Sequence, residues 1–332
     1  MARLNQQRTN TPAVSVILPA YNAASYIRTA VESALAQTFP DYEIIIINDG
    51  SPDTKELELV LRPYVGKHTY ISQDNKGPGA ARNAGIRAAQ GCFIAFLDAD
   101  DYWAPNYLAE QMLFLESNPG ADMVYADAIL LGDSELAGRT FMETTPSTGT
   151  ANFESVLTGQ CTVILSGTVV RRNLVMAAGN FDEGLRRAED YDLWLRLARS
   201  GAAIIYQRKV LLFRREMSTG LCYDKTLLFR NEVRVLAKLA CGATLSREQM
   251  AMVAAQIERM KATIRLEEGK AAFQQRHFLE AALAIQAANR VYDSWKLRLV
   301  WLSLLLSPWL LLYVSNFLRR DRIPVPSEDL AG

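Results

Sequence analysis

At 332 residues the chain is long enough for one large domain with an appendage, and at 49% hydrophobic and 22% charged it is globular rather than disordered. Lys+Arg and Asp+Glu both number 36, so no global field selects nucleic acid as a partner. The cysteines Cys92, Cys161, Cys222 and Cys241 show no CxxC spacing, which excludes a zinc or disulfide framework, and the two histidines, His68 and His277, leave carboxylates as the acid/base groups.

Residues 1–11 form a polar tail without the apolar core of a leader. Val14 to Leu18 is a β-branched run that reads as the first strand, and Pro19-Ala20-Tyr21-Asn22 as its loop. Ile27, Ala30, Val31, Ala34 and Leu35 give the next segment a helical apolar face. Tyr42 to Ile47 is a second strand, nearly continuous in apolar residues, and it ends in the turn Asn48-Asp49-Gly50-Ser51-Pro52. A polar helix from about Asp53 to Leu61 and a short strand, Thr69 to Ser72, follow.

The glycine-bearing loop Gln73 to Gly79 opens a helix over Ala80 to Ala89, which Gly91 ends. Gly77-Pro78-Gly79 lacks the spacing of a dinucleotide fingerprint. Cys92 to Leu97 is a buried strand that runs into Asp98-Ala99-Asp100-Asp101. This order of strands and helices predicts a mostly parallel, doubly wound sheet, whose ligands gather at the carboxyl ends of the strands. Asp98 and Asp100, one residue apart, suit a hard cation, Mg2+ or Mn2+, shared with a diphosphate; the alternative is a solvated acidic turn.

Pro105 is placed in the first turn of a helix running to about Ser117, and Met123 to Leu131 reads as strand. Gly132 to Gly149 is a turn-rich excursion, and Thr162 to Arg171 returns to β composition around Ser166-Gly167. A short helix ends at Gly179. From Asp190 onward the pattern is an amphipathic helix, with Leu193, Trp194, Leu197 and Ala198 inward. Glu189 and Asp190 then sit at a helix N-terminus, where the dipole favours their ionised forms; plain capping is the simpler reading of Asp190. Val210 to Phe213 closes the domain as a strand with Arg214 and Arg215 at its tip.

Five pieces in order carry a family resemblance: Val14 to Asn22, Asn48 to Ser51, Ala81-Arg82-Asn83-Ala84-Gly85, Phe96 to Asp101, and Glu189 to Arg196. Together they resemble a family 2 glycosyltransferase of the GT-A fold over roughly residues 12–216, within a domain taken as 12–220, with Asn48 where the family usually has a first Asp. The resemblance implies a nucleotide-binding role for Asp49, Pro19, Tyr21, Asn22, Arg82 and Asp98, with the Asp49 carboxylate accepting from a base N–H, commonly of uracil. It implies metal ligation by Asp98 and Asp100, a diphosphate-facing Arg82, and Asp190 as the general base in an inverting displacement. Ser166, Gly167, Glu189, Arg214 and Arg215 are expected on the acceptor or diphosphate side. The Gln-x-x-Arg-Trp motif of processive members is missing, so a single-addition enzyme is expected. The implied partners are a nucleotide-diphosphate sugar, commonly a UDP-sugar, and a glycan or polyprenyl-linked hydroxyl in surface polysaccharide synthesis. The competing reading is a silent nucleotide-sugar-binding or scaffold module; a nucleotidyltransferase would carry a Gly- and Arg-rich loop after the first strand.

Residues 221–295 turn helical, with a capping box at Ser246 to Gln249 and a tetratricopeptide-like hairpin around Gly269 to Tyr292. Within 296–322, Leu299 to Leu318 is free of charge and would reach about 30 Å as one helix. A span, a surface-lying segment and two short buried helices broken at Pro308 all remain open, as does its orientation, because basic residues flank both ends. The expected location is the cytoplasmic face of the cell membrane, and 323–332 is a tail.

Overall fold

A computed structural model describes residues 11–132, 136–145, 147, 150–216, 225–242 and 244–309. The chain divides into two compact units, one carrying all eight strands together with Cys241–Met252, the other Lys225–Ala240 and the chain from Val253 onward.

In the first unit the elements are β1 (Val14–Ala20), α1 (Ile27–Leu35), β2 (Tyr42–Asp49), α2 (Thr54–Leu61), β3 (Thr69–Gln73), α3 (Pro78–Ala88) and β4 (Phe93–Phe96). Then follow β5 (Tyr102–Trp103), α4 (Tyr107–Ser117), β6 (Met123–Gly132), α5 (Phe141–Thr144), α6 (Phe153–Leu157), β7 (Thr168–Arg171), α7 (Arg172–Ala177), α8 (Glu189–Arg199) and β8 (Ile204–Glu216). The sheet order is β3-β2-β1-β4-β7-β6-β8-β5. β3, β2, β1 and β4 are parallel, as their continuous apolar runs predict, and Val16, Ile17, Ile45, Ile46 and Ile94 are fully buried. Gly85 lets α3 lie close on this half: a Cβ there would stand 2.7 Å from Ile17 Cγ2 and 2.9 Å from Ile47 Cδ1.

The other half departs from a doubly wound sheet. β7 runs antiparallel to both β4 and β6, and β5 antiparallel to β8, so the sheet is mixed. β7, with four residues, and β5, with two, are too short for an apolar pattern to show their direction or period. Of Thr162 to Arg171 only Thr168–Arg171 is strand; Leu165–Gly167 form a single 3-10 turn. β8 starts six residues before Val210, and Arg214 and Arg215 lie inside it rather than beyond its tip. The polar Gln207-Arg208-Lys209 stretch hides its start, because the register slips there: Gln207 pairs with Ala126, but Val210 with Asp127. Pro105 precedes α4 and its N-cap, Asn106, instead of opening the helix. The Gly132 to Gly149 excursion contains α5, where Thr140 and Glu143 form a capping box.

The remaining helices are α9 (Lys225–Gly242), α10 (Arg247–Gln274), α11 (Phe278–Tyr292) and α12 (Trp295–Leu306); the second unit takes α9 to Ala240, α10 from Val253, and α11 and α12 whole. A single helical hairpin cannot cover its own apolar face. Here α12 covers it, Leu304 joining Ala281, Ala282 and Ile285 in one small core. α12 stops at Ser307, just ahead of Pro308, and among the described residues no helix is long and apolar enough to cross a membrane. The remainder of the charge-free stretch, from residue 310, and the 323–332 tail lie outside the described residues.

Candidate active site

Parallel register brings the carboxyl ends of β1, β2 and β3 level: Ala20 pairs with Asn48, and Asp49 with Gln73. Three loops therefore meet at one edge. Asp49, buried at the end of β2, holds the third of them, accepting from Gln73 Nε2 (2.7 Å) and the Lys76 N–H (3.0 Å) at Oδ1 and from the Gly77 N–H (2.8 Å) at Oδ2. A carboxylate has about four acceptor positions, so this anchoring leaves room for one further N–H. The Pro19 to Asn22 loop is fixed from the same turn. Asn22, at φ +51°, donates its N–H to Ser51 Oγ (2.6 Å), Asp53 accepts from the Ala24 N–H (2.8 Å), and Ser51 in turn donates to Asp53. Tyr21 projects from this loop 55% exposed, beside the pinned turn. Ser51 and Asp53 were not singled out in the sequence, although a Ser-x-Asp turn is a recognisable signal for such a network.

The Ala81 to Gly85 motif now has a physical account. Asn83 exchanges hydrogen bonds with the Phe181 backbone, 2.9 Å each way, and Nδ2 also reaches Glu183 Oε1 at 2.9 Å. This ties α3 to the segment leading into α8. Arg82 sits above the Phe181 ring and directs both terminal nitrogens at carboxylates: Nη1 to Glu189 Oε1 at 2.6 Å and Nη2 to Asp98 Oδ1 at 2.7 Å. The expected diphosphate-facing guanidinium is thus engaged by acidic partners from two elements, the end of β4 and the start of α8.

In the acidic turn, Asp98 and Asp100 are half-buried and Asp101 is buried. Ser166 and Gly167, buried themselves, brace it from behind: the Asp98 N–H donates to Ser166 Oγ (3.1 Å), Trp103 Nε1 to the Ser166 carbonyl (2.7 Å), and Gln111 Nε2 to the Gly167 carbonyl (2.9 Å). β8 supplies the cations. The Arg215 N–H donates to Asp101 Oδ1 (3.0 Å) and its Nε to the Asp100 carbonyl (3.3 Å), with the guanidinium over the Tyr26 ring; Arg214 lies over Phe141. Burial and the Asp98 charge push the Asp100 carboxyl up to about 6. Burial with the charges of Asp100 and Asp98 pushes Asp101 up to about 8, against the pull of Arg214.

Asp190 is the second residue of α8, after Glu189; the N-cap, Ala188, has a φ of +59° that is costly for a residue with a Cβ and turns the chain sharply into the helix. One carboxylate oxygen takes the Tyr191 N–H at 2.8 Å; the other has no hydrogen-bond partner among the described residues. The helix dipole was expected to favour the ionised form, yet burial first, and then the Glu189 charge, push this carboxyl up to about 6, although Arg82 pulls the other way. Desolvation outweighs the dipole here. The rest of the motif is scaffold: Arg196 grips Asp192 at 2.6 Å and the Asn180 carbonyl at 2.7 Å, while Leu193 and Trp194 are buried.

Among the described residues no group of three or more His, Cys, Asp or Glu side chains is arranged to hold a metal ion alone. What the site offers is two half-buried hard oxygen donors, Asp98 and Asp100, in a surplus of negative charge. That set fits a divalent cation whose remaining ligands arrive as phosphate oxygens.

Comparison with known proteins agrees with this geometry. An uncharacterized glycosyltransferase of Rickettsia typhi is 31% identical over 215 residues, covering 62% of this chain and 65% of its own length. One from Methanocaldococcus jannaschii is 29% identical over 196 residues, covering 56% and 64%. This chain thus matches somewhat less than two thirds of either relative. The fold is shared with Staphylococcus aureus TarS 1–349 in complex with UDP-GlcNAc (TM-score 0.60, 20% identity, 84% of this chain and 82% of that one). It is also shared with the mannosyltransferase PcManGT of Pyrobaculum calidifontis in complex with GDP-Man and Mn2+ (TM-score 0.59, 19% identity, 88% and 79%). The sheet is accordingly the mixed sheet of a GT-A-like fold. Glycosyl transferase family 2 matches residues 15–163, and Glycosyl transferase family group 2 matches residues 93–325, more than half of the chain; the protein belongs to the family 2 glycosyltransferases.

Proposed function

We propose that this enzyme transfers a sugar from a nucleotide-diphosphate donor, a UDP-sugar, to a hydroxyl of a glycan or polyprenyl-linked acceptor with inversion at the anomeric carbon, one addition at a time. The observation that carries the reading is Asp190: a carboxyl raised to about 6 by burial and the Glu189 charge, one oxygen fixed by the Tyr191 N–H and the other without a hydrogen-bond partner among the described residues, drawn to Arg82 and repelled by Asp98. A base poised near the working pH can take the acceptor proton as the acceptor oxygen attacks and the bond from the anomeric carbon to phosphate breaks. The geometry is that of an inverting glycosidase with a sugar hydroxyl in place of water.

The loops of Asp49, Asn22 and Gly77 are assigned to the nucleotide, Tyr21 offering its ring to the base and Asp49 its remaining acceptor position. Arg214 and Arg215 lie beside the acidic turn on the diphosphate side. Asp98 and Asp100 would hold Mg2+ or Mn2+, which supplies charge neutralisation on the departing diphosphate. The nucleotide sugars bound by the two structural relatives, and the Mn2+ of one, support the donor class and the metal.

Membrane contact through 296–322 on the cytoplasmic face, in surface polysaccharide synthesis, completes the reading. Its support is the exposed apolar series Trp295 (66%), Leu299 (53%) and Leu306 (83%) on α12, with Lys296 and Arg298 beside it. A full chain that is soluble after detergent-free lysis and a high-salt wash would contradict that part.

The donor is tested by offering a panel of nucleotide sugars with Mn2+ or Mg2+ and measuring nucleoside diphosphate release. Cation-dependent release from one of them, lost in Asp100→Ala, is the expected result. Absence of both release and nucleotide binding across the panel would favour the scaffold reading instead.

A further inference from the structure

Arg82 is enclosed in the molecule's acidic centre, its side chain 6% exposed. Its two salt-bridge partners are unlike each other. The Glu189 side chain is 9% exposed, whereas the Asp98 side chain is 34% exposed and opens outward. Its Nε is buried with no hydrogen-bond partner. A guanidinium so placed has one closed bond, to Glu189, and one that an incoming ligand can reach, to Asp98.

We propose that Arg82 is the resting counter-ion of Asp98, and that a divalent cation displaces it effectively only when a diphosphate arrives in the same event. A cation alone would either share the single Asp98 charge with Arg82, two cations on one carboxylate, or take Oδ1 and leave Nη2 buried without its partner, the costly way to break an enclosed ion pair. When a diphosphate accompanies the cation, a phosphate oxygen replaces Asp98 at Nη2, and Glu189 keeps Nη1 throughout. Cation and nucleotide then strengthen one another's binding through the Arg82–Asp98 pair, of which the cation takes the carboxylate and the phosphate takes the guanidinium, and the coupling is reciprocal. Arg82 is in this account a positioning residue that makes metal loading depend on the donor. The inference rests on the proposed donor and metal sites but predicts something they do not require: that the metal-free enzyme resists the metal.

The test measures Mn2+ binding to the full chain from the free-ion electron paramagnetic resonance signal, with and without UDP. Wild type is expected to bind Mn2+ weakly alone and about tenfold more tightly with UDP, beyond the binding of Mn2+ to UDP in solution. Arg82→Gln is expected to bind Mn2+ alone about tenfold more tightly than wild type, with most of the UDP dependence gone. The same substitution in an Asp98→Asn background should bring no gain, because the liberated ligand is then absent. Loss of a positive charge acting only through space would improve binding in both backgrounds, so a gain that survives Asp98→Asn overturns the proposal, as does an unchanged affinity in Arg82→Gln. Should Arg82→Gln fail to fold, Glu189→Gln decides: it leaves Asp98 as the sole salt-bridge partner and should weaken Mn2+ binding, and an unchanged or tighter affinity contradicts the account. Failure of UDP to bind any form counts against the donor reading, while the Mn2+-alone comparison still decides the role of Arg82.

Discussion

The two halves of the sheet differ in how they make a site. On the β1 to β4 half, each parallel strand ends beside the next, so loops already aligned by register need only short hydrogen bonds to become a pocket. Asp49 holding the Gly77 N–H and Ser51 holding the Asn22 N–H are such bonds. On the β6 to β8 half, the contributing residues come from antiparallel strands, a 3-10 turn and a strand with a register slip. There the chemistry depends on contacts more than a hundred residues apart, such as Arg215 with Asp101, and Arg82 of α3 reaches over from the first half to Glu189 in the same way. The first half is organised by local connection, the second by long-range charge.

That contrast is open to breakage from either side. The largest effect on the first half is expected from Gly85→Val, which forces side-chain atoms into Ile17 and Ile47; overpacking of this kind costs roughly 1–3 kcal/mol, read as a lowered denaturant midpoint. Asp49→Asn turns one of the two acceptor oxygens into a donor, which then opposes the N–H of Gly77 at one position or that of Lys76 at the other. It is expected to weaken UDP binding about tenfold, roughly 1.4 kcal/mol, and to speed amide exchange at 74–77 while leaving the melting transition in place. A smaller loss, about 1 kcal/mol or less, is expected of Ser246→Ala, which removes the cap on the Gln249 N–H at the start of α10.

The long-range half is sharpened by pH. The carboxyls of Asp100 and Asp101 are raised to about 6 and about 8, so the folded chain holds protons that the unfolded chain releases near pH 4. Stability from this source is full below about pH 4 and is lost as pH rises toward 8. A thermal-melting series without divalent cation should therefore decline across that window, and Asp101→Asn should flatten its upper part. A midpoint that rises with pH from 5 to 8 would contradict the electrostatic description.

How much could be read from the chain follows the same division. Val14 to Leu18, Tyr42 to Ile47 and the Asp98 to Asp101 turn were legible because a buried parallel strand is a short apolar run that ends in turn residues. The N-terminal position of Glu189 and Asp190 was legible from the helical period behind them. β5 and the antiparallel course of β7 were not, because pairing direction is decided by partners elsewhere in the chain. Arg82 was recognised as a site residue, but its partners were not: sequence shows a cation in a helix and cannot show that two carboxylates from separate elements enclose it. The end of α12 at Ser307 falls where Pro308 offered a break in the charge-free stretch, but the sequence alone left that break as one of three alternatives.

The central claim is that Asp190 removes the acceptor proton in a site that binds the donor without it. The direct measurement is nucleoside diphosphate release by Asp190→Asn and wild type, made beside a donor dissociation constant for each. The account predicts a rate lowered by about 100- to 10,000-fold, with donor affinity within a few-fold of wild type. An Asp190→Asn enzyme that keeps its rate, or one that loses activity only because it no longer binds the donor, would contradict it.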